Sequence, residues 1–174
     1  MNLSVVIPVY NEEQNIPILA KQLDEVLGAL DASYEVVLID DGSSDNSWDA
    51  MKEASEKYHG LRLLRLRRNF GQTAALSAGF ASARGEIVIT MDADLQNPPA
   101  DIPTIYNKIN EGFDVVSGWR KKRKDPFLKR RLPSIIANRI ISAITGVKLH
   151  DYGCTLKAYR REILKDFRIY GEMH

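Results

Sequence analysis

The stretch Ile87-Val88-Ile89-Thr90-Met91-Asp92-Ala93-Asp94-Leu95-Gln96-Asn97-Pro98-Pro99 decides how this chain is read. Four β-branched residues run into two carboxylates one residue apart, and a Pro-Pro pair then stops regular structure. If extended geometry persists past the strand, alternation sends Asp92 and Asp94 to the same side. Two acids that close repel each other unless a cation or strong donors lie between them. Hard carboxylate oxygens beside the Gln96 amide suit Mg²⁺ or Mn²⁺, and Mg²⁺ commonly shares its shell with substrate phosphates. The competing reading is a solvated loop with two acids, and the motif alone does not choose.

Outward from this stretch the same rhythm recurs. Leu3–Val9, Tyr34–Asp40, Leu61–Leu66, Glu86–Met91 and Asp114–Gly118 read as strands. Between them lie helix-length segments. One is entered through Asn11-Glu12-Glu13-Gln14, read as cap and acidic first turn, and runs to about Leu30. A second follows the turn Ser43–Ser47 to about Tyr58, a third spans about Gln72–Ala83, and a fourth Ala100–Asn110. Strands alternating with helices predict an α/β fold with a mainly parallel sheet, whose ligands bind at the carboxyl ends of the strands. The chemically loaded residues fall at those ends: Pro8, Tyr10, Asn11 and Glu12; Asp40 and Asp41; Asp92 and Asp94; Trp119 and Arg120. Convergence of four loops on one rim argues for a site more strongly than any single motif.

Composition narrows the class. The 174 residues suit one domain with a real core, and 44% hydrophobic with 27% charged residues is ordinary for a globular protein. The net charge of +1 conceals a concentrated patch, because eight of the twelve residues from Arg120 to Arg131 are Lys or Arg. Cys154 is the only cysteine, which excludes an internal disulfide and reads as packing. No apolar run is long enough to span a bilayer, and the N-terminus lacks the form of a signal peptide.

Four further segments carry candidate chemistry. Asp41, in Leu38-Ile39-Asp40-Asp41-Gly42-Ser43-Ser44-Asp45, can accept a hydrogen bond from a base N–H or a ribose hydroxyl. Asx-turn and helix-cap chemistry competes there, with Ser44 or Asp45 as the cap. Arg68-Asn69-Phe70-Gly71-Gln72 opens a helix whose backbone amides can meet a phosphate. It is neither a Walker loop nor a dinucleotide fingerprint, and Ala74, Ala75, Ala78 and Ala81 read as close helix–sheet packing. The basic run 120–131 leads into Leu132, Ile135, Ile136, Ile140 and Ile144 at helical spacing. That pattern fits a core helix or one lying at a membrane surface with its cations on anionic head groups. Nucleic acid is disfavoured as a partner by the near-zero net charge and the lack of aromatic–basic interleaving. Asp151, in His150-Asp151-Tyr152-Gly153-Cys154, is a candidate base, Arg partner or turn former, and the histidines have no metal-ligand spacing.

Taken together, Val5-Val6-Ile7-Pro8-Val9-Tyr10-Asn11-Glu12, Ile39-Asp40-Asp41-Gly42-Ser43, Asn69-Phe70-Gly71, Met91–Pro99 and Asp151-Tyr152-Gly153-Cys154 resemble the catalytic domain of a family 2 glycosyltransferase. The likeness is greatest to the polyprenyl-phosphate branch, which includes dolichyl-phosphate mannosyltransferases and undecaprenyl-phosphate sugar transferases. It covers nearly the whole chain, and Met-Asp-Ala-Asp-Leu-Gln with Pro-Pro is its most specific part. The resemblance implies a GT-A fold, a UDP- or GDP-hexose donor, Mg²⁺ or Mn²⁺, inversion at the anomeric carbon and a polyprenyl phosphate acceptor at the cytoplasmic face of the cell membrane.

By that likeness Pro8, Tyr10, Glu12, Ile39 and Asp41 hold the nucleoside. Asp92, Ala93 and Arg120 meet the ribose and phosphates, Asp94 and Gln96 with Asp92 hold the metal, and Arg130 or Arg131 meets the acceptor phosphate. Asp94, Arg120 and Arg131 then carry the chemistry, with Asp151 as the base if the acceptor is instead a glycan hydroxyl. The donor part spans about 1–120 and the acceptor side about 120–174 of one domain. Such enzymes continue into amphipathic or membrane-spanning helices, so the likeness implies a membrane part beyond these residues. A nucleotide-sugar-binding fragment without chemistry is the remaining alternative.

Overall fold

A computed structural model of the chain describes residues 1–119 and 153–165. Its strands are β1 (Leu3–Val9), β2 (Tyr34–Asp40), β3 (Leu61–Arg65), β4 (Ile87–Thr90), β5 (Val115–Ser117) and β6 (Lys157–Arg160). Its helices are α1 (Ile16–Gly28), α2 (Ser47–Lys57), α3 (Gln72–Ser82), α4 (Ile102–Asn110, entered through a 3₁₀ turn at Pro99–Asp101) and α5 (Arg161–Lys165). The strands form one sheet in the order β3-β2-β1-β4-β6-β5. β3, β2, β1 and β4 are parallel, with Leu3 opposite both Tyr34 and Ile87. β6 runs antiparallel between β4 and β5, and Lys157 lies opposite both Thr90 and Ser117. The α/β class and mainly parallel sheet follow the sequence reading, whereas β6 was not foreseen.

β1 is central because it is apolar on both faces, and alternation divides its side chains between two cores. Val5, Ile7 and Val9 pack with Leu19, Leu23 and Leu27 of α1, Met51 of α2 and Ile102, Ile105 and Ile109 of α4. Val6 joins Val37, Ile39 and Val88 beneath α3. The close approach of α3 depends on Gly79, where an added Cβ would stand 2.3 Å from Val6 Cγ1. Of the four alanines assigned to that packing, Ala75 is wholly buried but Ala81 is exposed. The contact face follows the 3–4 residue helical spacing of Ala75, Leu76, Gly79 and Ala83.

The start of α1 departs from expectation. The helix begins at Ile16 with Pro17 in its first turn, and Asn11 takes a left-handed φ of 57°. Residues 11–13 fasten the β1–α1 loop to the β2–α2 loop instead of capping. Asn11 N–H donates to Ser43 Oγ (3.0 Å), Glu12 N–H to Ser47 Oγ (2.7 Å) and Glu13 N–H to Asp45 Oδ2 (3.2 Å). In return Ser44 N–H donates to Asn11 Oδ1 (2.8 Å) and Asn46 N–H to Glu13 Oε2 (3.0 Å). The N-cap of α2 is Asn46 and not Ser44 or Asp45 as read; Asp45, one residue earlier, accepts from Ser47 N–H (3.0 Å) in an Asx-turn. Burial pushes the Asp45 carboxyl up, but these hydrogen bonds outweigh it and hold it below its ordinary range.

Candidate functional site

At the carboxyl ends of the parallel strands lies an open cleft of about 340 Å³, lined by Pro8, Val9, Tyr10 and Glu12, Asp41, Asn69, Gly71 and Gln72, and Asp92, Ala93 and Asp94. Four strand-end loops converge there, but the set differs from the one expected. The loop after β3 takes part, while Trp119 after β5 lines a neighbouring groove with Gln96. The cause is topological, since β6 inserted beside β4 moves β5 one strand further from the centre.

Asp40 and Asp41 leave β2 on opposite sides, as alternation requires. Asp40 is wholly buried and structural. Its Oδ1 accepts Ser43 N–H at 2.9 Å, and Oδ2 lies 3.1 Å from Arg65 Nε, off the hydrogen-bond line. Arg65 in turn lies over the Trp48 ring. Asp41 faces the cleft, where Oδ1 accepts Phe70 N–H (2.8 Å) and Oδ2 accepts Gly71 N–H (2.9 Å). The amides offered by the sequence to a phosphate thus hold the protein's own carboxylate. Each Asp41 oxygen keeps a second lone pair for a ligand donor.

The two acids after β4 both border the cleft, although β4 ends at Thr90 and the strand alternation does not extend to them. Asp92 is fixed by side chains: Gln72 Nε2 donates to Oδ1 and Thr155 Oγ1 to Oδ2, each at 2.7 Å. Asp94 Oδ1 accepts Gln96 N–H at 3.0 Å, closing a tight turn across Leu95. Leu95 itself has a φ of 60°, a left-handed conformation that costs a non-glycine residue about 1–2 kcal/mol. Strain of this kind collects where a loop must present functional groups at a set angle.

The other candidates divide. Pro8, Tyr10, Glu12 and Ala93 line the cleft, with Tyr10 48% exposed and Glu12 Oε2 accepting Asn15 Nδ2 at 2.6 Å. Ile39 does not line it; its side chain has no exposure and packs under α3, so it supports the site from below. Gln96 is exposed and borders the adjacent groove, its side chain apart from the cleft that Asp94 lines. Arg120, Arg130, Arg131 and Asp151 lie outside the described residues. Sequence reasoning missed Gln72, Asn97 and Thr155. Gln72 was legible as the first residue of a helix on the rim, but Thr155 becomes adjacent only through antiparallel β6.

Among the described residues that line the cleft, four are acids and none is Lys or Arg. Among the described residues, no three His, Cys, Asp or Glu are grouped closely enough to hold a metal ion by themselves. Two carboxylates at an open rim still fit a hard divalent cation that keeps several waters and substrate oxygens in its shell. Among the described residues, no helix is long and apolar enough to cross a membrane.

Comparison with known proteins accords with this geometry. A dodecaprenyl-phosphate galacturonate synthase of Rhizobium johnstonii is 46% identical over the whole of this chain, which spans about half (52%) of that protein. Glucosyl-3-phosphoglycerate synthase of Mycobacterium tuberculosis, solved with Mn²⁺, UDP and glucosyl-3-phosphoglycerate, superposes at a TM-score of 0.69 with 21% identity, over 93% of this chain and 57% of that one. S. aureus TarS with UDP-GlcNAc gives a TM-score of 0.64 with 23% identity, over 95% and 47%. At such identities the structures speak for the GT-A fold alone. The model for glycosyl transferase family 2 matches residues 4–168, and the chain belongs to that family.

Proposed function

We propose that this chain is the donor-binding and catalytic part of an inverting glycosyltransferase that moves a hexose-type sugar from a nucleoside diphosphate to a polyprenyl phosphate. The observation that carries the reading is the cleft at the sheet's carboxyl rim, where the loops bearing Asp41, Asp92 and Asp94 meet. The 46% likeness to a polyprenyl-phosphate sugar synthase supports the acceptor class.

In this reading Pro8, Tyr10, Glu12 and Asp41 receive the nucleoside, and Asp92 with Ala93 the ribose and diphosphate. Asp94, with Asp92 beside it, holds Mg²⁺ or Mn²⁺, and Gln96 shapes the Asp94 turn through its N–H. Bound there, the cation supplies positive charge where the departing diphosphate becomes more negative. Arg120 adds positive charge for the donor phosphates. A lipid monophosphate, with a second pKa of about 6, is mostly dianionic at neutral pH. It attacks the anomeric carbon without needing a base, but it must approach another anion. Arg130 and Arg131 screen that approach, and the basic run seats the protein on the cytoplasmic face of the membrane.

The test is calorimetric titration of UDP and GDP with and without Mn²⁺, followed by labelling of polyprenyl phosphate from the matching sugar donors. Asp94→Ala should lose Mn²⁺-dependent nucleotide binding. Unchanged affinity in that variant, or a wild type that labels no lipid phosphate in its membrane, would refute the proposal.

A further inference from the structure

One edge of the Asp92 carboxylate is held by a chain of hydrogen bonds that begins at Asn97, in the loop after β4. Asn97 is 3% exposed, and its Nδ2 donates to Thr155 Oγ1 at 3.1 Å. A threonine hydroxyl has one proton to give, and here it goes to Asp92 Oδ2 at 2.7 Å. The chain therefore has a direction, from amide to hydroxyl to carboxylate, and each link polarises the next. The Thr155 backbone is held independently, its carbonyl accepting Thr90 Oγ1 at 2.7 Å. Cys154, 1% exposed, closes the other side of Asn97 with a weak Sγ contact of 3.8 Å to Oδ1.

The topology explains why this residue serves. A parallel strand brings its carboxyl end to the rim, whereas antiparallel β6 brings its amino end. Residues 153–157 thus arrive beside the Asp92 loop although they follow it by some sixty positions in sequence. With Gln72 on Oδ1 and Thr155 on Oδ2, the carboxylate plane is fixed from both sides while Asp92 still borders the cleft.

We infer that Thr155 is a positioning residue for the donor nucleotide, orienting the Asp92 carboxylate toward a ribose hydroxyl through the Asn97–Thr155 chain. The inference rests on the reading of the cleft as a nucleoside diphosphate site. Removing the hydroxyl frees one edge of the carboxylate and leaves Asn97 Nδ2 without its acceptor. Without that donor the carboxylate has to be ordered at the moment of binding, and the cost appears as lost nucleotide affinity.

The experiment compares Thr155→Val with Thr155→Ser in the full chain, titrating UDP, and GDP in parallel, in the presence of Mn²⁺. Thr155→Val should weaken the nucleotide that wild type binds by about tenfold or more. Thr155→Ser, which restores the donor, should recover most of that loss. Mn²⁺ affinity in the absence of nucleotide, followed by electron paramagnetic resonance, should fall less than nucleotide affinity, because Asp94 still holds the cation. If the valine variant fails to fold, Thr155→Ala takes its place. Equal affinity in wild type and the hydroxyl-free variant overturns the inference, as does an equal loss in valine and serine variants, which would assign the effect to shape. A wild type that binds neither UDP nor GDP would instead overturn the reading of the cleft, and with it this inference.

Discussion

Replacement of Gly42 by alanine tests the site's architecture most directly. Gly42 has a φ of 68°, where an L side chain costs about 1–2 kcal/mol. A Cβ built there stands 2.4 Å from Arg68 C, 2.5 Å from Asn69 N and 2.7 Å from Arg68 Cα. All three are backbone atoms, so no rotamer change relieves the clash. Carbon–carbon contact is comfortable near 3.5 Å, which requires the 68–71 loop to retreat by about 1 Å. That movement stretches the Phe70 and Gly71 N–H bonds to Asp41, now 2.8 and 2.9 Å, beyond useful length. Each amide–carboxylate bond is worth about 1.5–3 kcal/mol.

Strain plus at least one lost bond gives a destabilisation of about 3–5 kcal/mol, a large share of a typical domain's stability. Urea unfolding reads the stability, and calorimetry with UDP and Mn²⁺ reads the cleft. Gly28→Ala is the control, since it ends α1 with no atom within 4 Å of the added Cβ. It should be neutral or stabilised by up to about 1 kcal/mol. If Gly42→Ala unfolds within 1 kcal/mol of wild type and binds nucleotide normally, the account of two interlocked loops is wrong.

At the opposite rim, Glu35 accepts Ser4 Oγ (2.6 Å), Arg62 Nη1 (2.6 Å) and Arg84 N–H (2.7 Å). Burial raises its carboxyl pKa, but these bonds and the Arg62 charge outweigh that and hold it below the ordinary glutamate value of 4.5. A depressed carboxylate stabilises the fold above its unfolded pKa and loses that stabilisation as pH falls through the folded value. Glu35→Gln should therefore cost about 3 kcal/mol at pH 7 and flatten the decline of the urea midpoint below pH 4.5; an equally steep decline in the variant would exclude the role. Arg130→Ala with Arg131→Ala should cut transfer to polyprenyl phosphate by tenfold or more while nucleotide affinity holds, on the scale of charge-assisted phosphate contacts; full turnover in the double variant counts against the acceptor assignment. Asp151→Asn should leave transfer to lipid phosphate within about threefold, because a dianionic acceptor needs no base. A hundredfold loss or more with unchanged donor affinity would favour a hydroxyl acceptor.

The parallel half of the sheet was legible because β1, β2 and β4 carry local signals that agree: apolar runs of strand length, each closed by acids or turn formers. Asp41, Asp92 and Asp94 were legible for the same reason, since a strand's end and an acid together mark the rim. The loss of register at Asn11–Gln14 shows where local reading stops. Those residues have the composition of a helix start, but Ser43, Asp45 and Ser47 compete for the same backbone groups across 32–35 positions of sequence. β6 failed differently. Lys157-Ala158-Tyr159-Arg160 is four residues with two cations, too short and too polar to stand out, and its strand character comes from the β4 and β5 edges that it joins. Thr155 was invisible as a consequence, because its neighbour Asp92 is set by strand order alone.

The charge layout ties these parts together. Every ionisable side chain lining the cleft among the described residues is an acid, so the cleft by itself repels the anion proposed for it. Two like unit charges 4 Å apart cost about 4 kcal/mol at the effective dielectric of a protein surface, and a diphosphate facing several carboxylates meets more than one such term. The Thr155 and Gln72 donors on Asp92, and the Phe70 and Gly71 amides on Asp41, hold those carboxylates in fixed orientations without neutralising them. On the proposed reading, the opposite charge is supplied by a divalent cation and by the basic run 120–131 that follows Trp119 in the sequence. The acids are thereby confined to strand ends that the sheet positions rigidly, and the cations to a separate segment and a dissociable ion. On the proposed reading, nucleotide affinity should depend on metal concentration first and on the basic segment second.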